Sequence, residues 1–166
     1  MPRSRNIRIE GVATNESYGA IILVSSYVDS TEISSPVLFK GKLQLSNVEM
    51  HNCGQADTVR TAIRFANIDA AGSYVKNSVV RNSFNRGYML QAVRNAVFDN
   101  NVVFDTIGSN GFFQLCQNIT ITNNLHMLVR PTPVEGTEDQ VQIRFNLFLT
   151  CVAKEIWRKI PVDCQL

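Results

Sequence analysis

One spacing recurs along the chain: Asn, two residues, an apolar residue, one more residue, then Asn or Gly. It occurs as Asn6-Ile7-Arg8-Ile9-Glu10-Gly11 and Asn47-Val48-Glu49-Met50-His51-Asn52. It returns as Asn77-Ser78-Val79-Val80-Arg81-Asn82, Asn95-Ala96-Val97-Phe98-Asp99-Asn100 and Asn118-Ile119-Thr120-Ile121-Thr122-Asn123. Between the ends, the first and third places are apolar apart from Ser78, and the fourth is always polar. Such alternation marks a strand with one buried face and one wet face. The copies therefore predict five similar strands in similar surroundings. The closing Asn follows the inward side at a point where the strand must turn. Asn tolerates left-handed backbone, and its amide both donates and accepts. Stacking would bring these amides into register, which gives a physical reason for an asparagine ladder.

Successive copies begin 41, 30, 18 and 23 residues apart. The longest interval leaves room for an extra coil containing residues 20–24. A second strand is readable after the copies, at residues 62–65, 88–92, 111–115 and 141–145. Helical periodicity is nearly absent before residue 147. A strand-and-turn unit of roughly 20–30 residues cannot bury its face alone; repeated and stacked, it is a solenoid. The predicted fold is all-β, a parallel β-helix of about five coils over residues 1–146. An antiparallel sandwich is the alternative, but it gives no reason for fixed Asn spacing.

Composition agrees. Asn occurs 16 times, as often as Lys and Arg together, and 31 Val plus Ile against 11 Leu favour sheet over helix. Hydrophobic residues make up 45% of 166 residues, enough for a core. A net charge of +2 gives no general reason to expect nucleic acid as a partner. No apolar run approaches the ~20 residues of a membrane span. Residues 1–6 are basic but lack the apolar stretch of a secretory signal. Taken literally the chain is cytosolic; the same facts fit a piece of a larger secreted or membrane protein.

Cys53, Cys116, Cys151 and Cys164 permit either two disulfides or buried thiols, and none is spaced for zinc. No P-loop or dinucleotide fingerprint is present, so no cofactor is expected. Residues 130–136 read as a loop because Pro131 and Pro133 cannot serve an interior strand. Residues 147–166 read as a separate C-terminal tail or cap, or a truncation, with a short helix at residues 154–159 stopped by Pro161.

Two segments resemble the fibrocystin (polyductin) and fibrocystin-L family. Ser4-Arg5-Asn6-Ile7-Arg8-Ile9 is similar to the Ser/Thr-Arg-Asn-Ile-x-Ile strand that follows the G8 module there, and residues 45–55 are similar to the next segment. Residues 77–87 and 95–111 look like the following coils, so the resemblance covers roughly residues 4–130. It implies a right-handed, single-stranded, pectin-lyase-like β-helix from a cell-surface ectodomain, often ciliary, whose signal, G8 module and anchor lie outside this chain. A related hyaluronan-depolymerising branch carries a His-Phe-His run on the second strand. The matching stretch here is Ile63-Arg64-Phe65-Ala66, which has neither His.

Arg64, Arg81, Arg86 and Arg94, with His51, Glu49 and Asp99, are candidates for one outer face that contacts an acidic glycan; ordinary solvated charge is the alternative. His51 and Glu49 share a strand side, which suits acid–base chemistry, half a metal site or simply a wet face. His126 reads as a solvated position too. Asp69, Asp99 and Asp105 fall at different strand phases, so no carboxylate pair of the glycosidase kind forms. No catalytic or metal-binding residue is nominated. The sequons at Asn15 and Asn118 are glycosylation candidates. The expected role is a non-enzymatic receptor or scaffold segment binding protein or glycan. The alternatives are a carbohydrate-active β-helix enzyme and a free-standing adhesin.

Overall fold

Short alternating strands broken by left-handed bends carry the chain round and round a central core. The computed structural model describes residues 7–12, 17–31, 34, 36–130, 134–137, 141–144 and 147–151. The chain opens with β1 (Ile7–Glu10), then a long β2 (Ile22–Asp29) and β3 (Val37–Lys40). Regular turns of three strands follow. These are β4 (Gln44–Ser46), β5 (Val48–His51) and β6 (Ile63–Asp69), then β7 (Tyr74–Lys76), β8 (Val79–Ser83) and β9 (Tyr88–Arg94). Next come β10 (Val97–Asp99), β11 (Val102–Ile107) and β12 (Gly111–Gln114), and then β13 (Ile119–Thr122), β14 (Leu125–Arg130) and β15 (Val134–Thr137). The described residues close with β16 (Val141–Arg144) and β17 (Leu147–Cys151).

Among the described residues these strands form three sheets. The first runs β1-β5-β8-β11-β14-β17, the second β4-β7-β10-β13-β16, and the third β3-β2-β6-β9-β12-β15. Pairing is parallel throughout except between β2 and β3. The all-β expectation holds, with three strands per turn where two were read. The missed strands are short or fall between the Asn marks.

Columns of inward side chains fill the centre. Val75, Phe98 and Ile121 stack from the second sheet, Met50, Val80 and Val103 from the first, and Phe65 and Leu90 from the third. Phe98 meets Phe65 edge-on at 6.0 Å and Tyr88 at 4.8 Å between ring centroids. These rings join two sheets through offset aromatic contact and large apolar burial.

The Asn repeat marks bends rather than one kind of strand. Asn47, Asn52, Asn77, Asn82, Asn95, Asn100, Asn118 and Asn123 all have φ between 50 and 60°. Such backbone is costly for most L-residues and is visited readily by Asn. Both ends of a short strand need such a bend, so the spacing recurs on any sheet. The copies at Asn6, Asn47 and Asn77 give strands of the first sheet, whereas those at Asn95 and Asn118 give strands of the second. The five strands are therefore not equivalent, and the interval of 18 residues is a step between sheets. The first copy ends in Gly11 rather than Asn because a Cβ there would collide with the Asn52 carbonyl oxygen.

The 41-residue interval holds no extra coil. Ile7 pairs directly with Val48, and the added residues form the β2–β3 hairpin. Toward the C-terminus, residues 134–137 are a strand where a loop was expected. The 141–145 strand belongs to the second sheet, and Leu147–Cys151 extends the first sheet beside β14. The expected helix at residues 154–159 lies outside the described residues. No helix among the described residues is long and apolar enough to cross a membrane.

Candidate functional site on the outer sheet faces

The polar fourth places of β1, β5 and β8 meet on the outside of the first sheet, since Glu10, His51 and Arg81 are register partners. His51 Nδ1 lies 2.9 Å from Glu10 Oε1 and 2.7 Å from Arg8 Nη2, while Asn82 Nδ2 is 2.8 Å from His51 Nε2. Arg81 Nε donates to Glu49 Oε1 at 2.6 Å, and Arg8 bridges back to Glu10 at 2.8 Å. The hydrogen bond to His51, helped by Arg8, holds the Glu10 carboxyl below its usual range. An ionised Glu10 is no proton donor for glycoside cleavage, which needs a raised carboxyl. Among the described residues, no group of three or more His, Cys, Asp or Glu is placed to hold a metal ion. The cluster is a network of mutually satisfied charges on a wet strand face.

Arg64 is not part of it. It points outward from β6 on the third sheet and gives Nη2 to Gln91 Oε1 at 2.8 Å; Gln91 Nε2 passes the bond on to Gln114 Oε1 at 3.0 Å. Beside this row run Met89, which is buried, and Phe112, over which the Arg86 guanidinium sits at 5.1 Å. The cation over the ring face is an attractive contact. Arg94 ends β9 on the third sheet. The expected single face of Arg64, Arg81, Arg86, Arg94 and His51 is thus two faces, because His51 and Arg81 stand on the first sheet whereas Arg64 and Arg94 stand on the third. Asp99 belongs to neither: it closes β10 on the second sheet and accepts from Thr122 Oγ1 at 2.7 Å and Asn123 Nδ2 at 2.9 Å. Asp69 and Asp105 stand on the third and first sheets, so the three Asp are distributed over three sheets.

His126 corrects its expected solvation. It occupies the inward column after Val103 and is 3% exposed. Burial pushes its pKa down to about 4. Cys53 is a buried free thiol that donates to the His51 and Ile9 carbonyls, and burial raises its pKa to about 11. Cys116 is buried with Sγ directed at the Leu90 carbonyl. Asn118 is exposed, and its Nδ2 donates to Asn95 Oδ1 at 2.7 Å. Asn15 lies outside the described residues.

A concavity that the sequence does not announce lies where the third sheet ends. Asn67, Ala92 and Leu115 all turn left-handed there, with φ of 51, 52 and 55°. With Asp69, Arg94 and Gln117 they line a cavity of about 300 Å³. Asp69 Oδ1 takes Asn95 Nδ2 at 2.7 Å and the Ala71 amide at 3.2 Å. The Asn95 bond leads the effects that keep this carboxylate below its usual pKa.

Stacked parallel strands in three sheets, a continuous core and amide-lined bends define the class: a parallel β-helix protein. The CEMIP beta-helix family matches over residues 37–156, and the chain belongs to that family. Fibrocystin of Canis lupus familiaris is 34% identical over 126 residues, and Mus musculus fibrocystin 36% over 125, each covering about three quarters of this chain. Mus musculus fibrocystin-L is 31% identical over 63% of the chain. The chain spans about 3% of the length of each of these relatives. The solved structure of a candidate glycosyl hydrolase from Parabacteroides merdae aligns with a TM-score of 0.50 at 14% identity, covering 89% of this chain and 73% of that one. That likeness is one of fold.

Proposed function

We propose that the chain is a non-enzymatic segment of a fibrocystin-like cell-surface ectodomain, a receptor or scaffold whose outer faces bind protein or glycan. In this reading it is a right-handed, single-stranded β-helix of about five coils, on the extracellular face of the plasma membrane or cilium. Residues 147–166 contain its terminal cap, and the paired amides of its bends act as an asparagine ladder. The exposure of Asn118 supports a glycan on that sequon.

The observation that carries the reading is the environment of Arg64. It stands outward in the stretch that matches the His-Phe-His run of the hyaluronan-depolymerising relatives. Its hydrogen-bonding partner is an amide, and the row continues through a second amide, with no acid or base in it. General acid–base chemistry needs a titratable group at the reacting bond. The same row suits recognition, because amides and a guanidinium donate and accept without exchanging protons.

The test is incubation of the chain with hyaluronan and with pectic polymers, followed by sizing of the product. Unchanged chain length is expected. Shortened polymer or new unsaturated ends would establish the carbohydrate-active reading instead, which the candidate hydrolase sharing this fold brings forward.

A further inference from the structure

We propose that the cavity at the end of the third sheet is a binding site for a neutral pyranose unit of a glycan chain; this rests on the receptor reading above and deepens it. The site is built by Asn67 and Asp69 of β6, Ala92 and Arg94 of β9, and Leu115 and Gln117 after β12. Three successive turns therefore contribute one apolar or amide residue and one polar residue each.

Four observations carry the assignment. First, the polar groups have been left available. Among the described residues, the side chains of Asn67, Arg94 and Gln117 make no hydrogen bond or ion pair, and both bonds to the Asp69 carboxylate fall on Oδ1. The charged cluster on the first sheet is instead paired within itself, and the side chains of Arg64, Gln91 and Gln114 bond to one another in a row.

Second, the backbone is strained for the shape it makes. Ala92 and Leu115 hold φ of 52 and 55° with no side-chain amide to bond locally. Left-handed backbone costs an ordinary L-residue roughly 1–2 kcal/mol. Leu115 is also 75% exposed, so core burial does not compensate for its strain. These are left-handed bends by which the coil turns, and stacked in one column they line the concavity.

Third, the charges balance. One carboxylate and one guanidinium face a common space with two amides, and Asp69 and Arg94 are register partners. Carboxylate, guanidinium and amide are planar groups that take adjacent hydroxyls in pairs, while Leu115 and Ala92 offer a surface to the C–H face of a ring. A polyanion would meet Asp69; a cation would meet Arg94.

Fourth, the backbone offers no free edge. β6, β9 and β12 are paired to one another in sequence, so an extended peptide has no strand to extend at this place. Recognition must come from side chains at the coil spacing of about 4.8 Å, close to the length of one sugar ring. The cavity sits at the small end of ligand pockets, about 300 Å³, as one ring with its neighbours in solvent requires.

The test titrates the 166-residue chain with cellotetraose, mannotetraose and chitotetraose, beside a hyaluronan tetrasaccharide and a blocked Gly-Ser peptide, following saturation-transfer NMR and affinity. At least one neutral tetrasaccharide should bind, with affinity weakened roughly tenfold in Arg94→Ala and in Asp69→Asn. Leu115→Gly separates binding from folding: it should raise the melting temperature by relieving φ while weakening the sugar. Neutral-sugar binding untouched by all three variants would overturn this site and leave the receptor reading standing. No response to the three neutral sugars, or tighter binding of hyaluronan or peptide, would overturn the ligand class. Shortening of the offered glycan would overturn the receptor reading itself.

Discussion

Asn124 accepts the backbone N–H of Asn101 on its Oδ1 at 2.9 Å, one coil away, and Asn101 does the same for Ser78 at 3.0 Å. Both amides then return a hydrogen to the carbonyl of an inward residue, Asn101 to Val75 and Asn124 to Phe98. Each thus closes two backbone groups that the turn into the first sheet would leave buried and unmet.

Asn101→Leu should therefore be severe. It strips the partner from the Ser78 N–H and the Val75 carbonyl, each buried group costing about 1–3 kcal/mol when unmet. Asn100→Leu, at the exposed neighbour that donates to Asn77 at 2.7 Å, should cost less, mainly the strain of a left-handed Leu. Thermal melts of both variants check the order. Equal melting temperatures would mean that the buried amides have no special role.

Acidification should weaken the fold through His126. Its folded pKa, about 4, lies below its ordinary 6.5, so the unfolded chain binds the extra proton first. Stability is then full above about pH 6.5 and falls as pH drops toward 4, by up to about 1.4 kcal/mol per pH unit. His126→Met should flatten that segment of the curve in urea titrations at pH 4.5 and 6.5. An unchanged slope would mean that the pH dependence in this window does not come from His126; Glu10, whose carboxyl is held below its usual range, acts only at lower pH.

Cys53 should resist thiol reagents in the native protein. Only the thiolate reacts, and a pKa near 11 leaves almost none at pH 8. Peptide mapping after iodoacetamide should find Cys53 unmodified without denaturant and labelled with it. Rapid native labelling would mean that this corner opens readily.

Phe98→Ala should destabilise by about 3–5 kcal/mol, since the ring touches both Phe65 and Tyr88 across two sheets. Denaturant melts check it. A loss below about 1 kcal/mol, the scale of a surface change, would contradict the central packing.

The repeat was legible in the sequence, yet its phase was not. A bend is what Asn reports, and a short strand has a bend at either end, so Asn95 looks like Asn77 while sitting on another side of the coil. The Asn100-Asn101 and Asn123-Asn124 doublets carry the true phase: aligned with Asn77-Ser78, they give a period of 23 twice over. The same alignment sets His126 beneath Val80 and Val103, an inward place, whereas its polarity alone suggested water. The cavity had no such mark. Ala92 and Leu115 have no propensity for left-handed backbone, and only the paired strands around them reveal that they adopt it.

The fixed register has an evolutionary reading. Val75 lies under Phe98 and Phe98 under Ile121, each 23 residues on. A deletion of residues 77–99 would rejoin Lys76 to Asn100 with every column still aligned, shortening the molecule by one rung of about 4.8 Å. Insertions of the same size would lengthen it equally. A gene for such a chain can change the reach of its product in whole rungs, while losses of other lengths must be absorbed outside the sheets, as the β2–β3 hairpin absorbs its surplus.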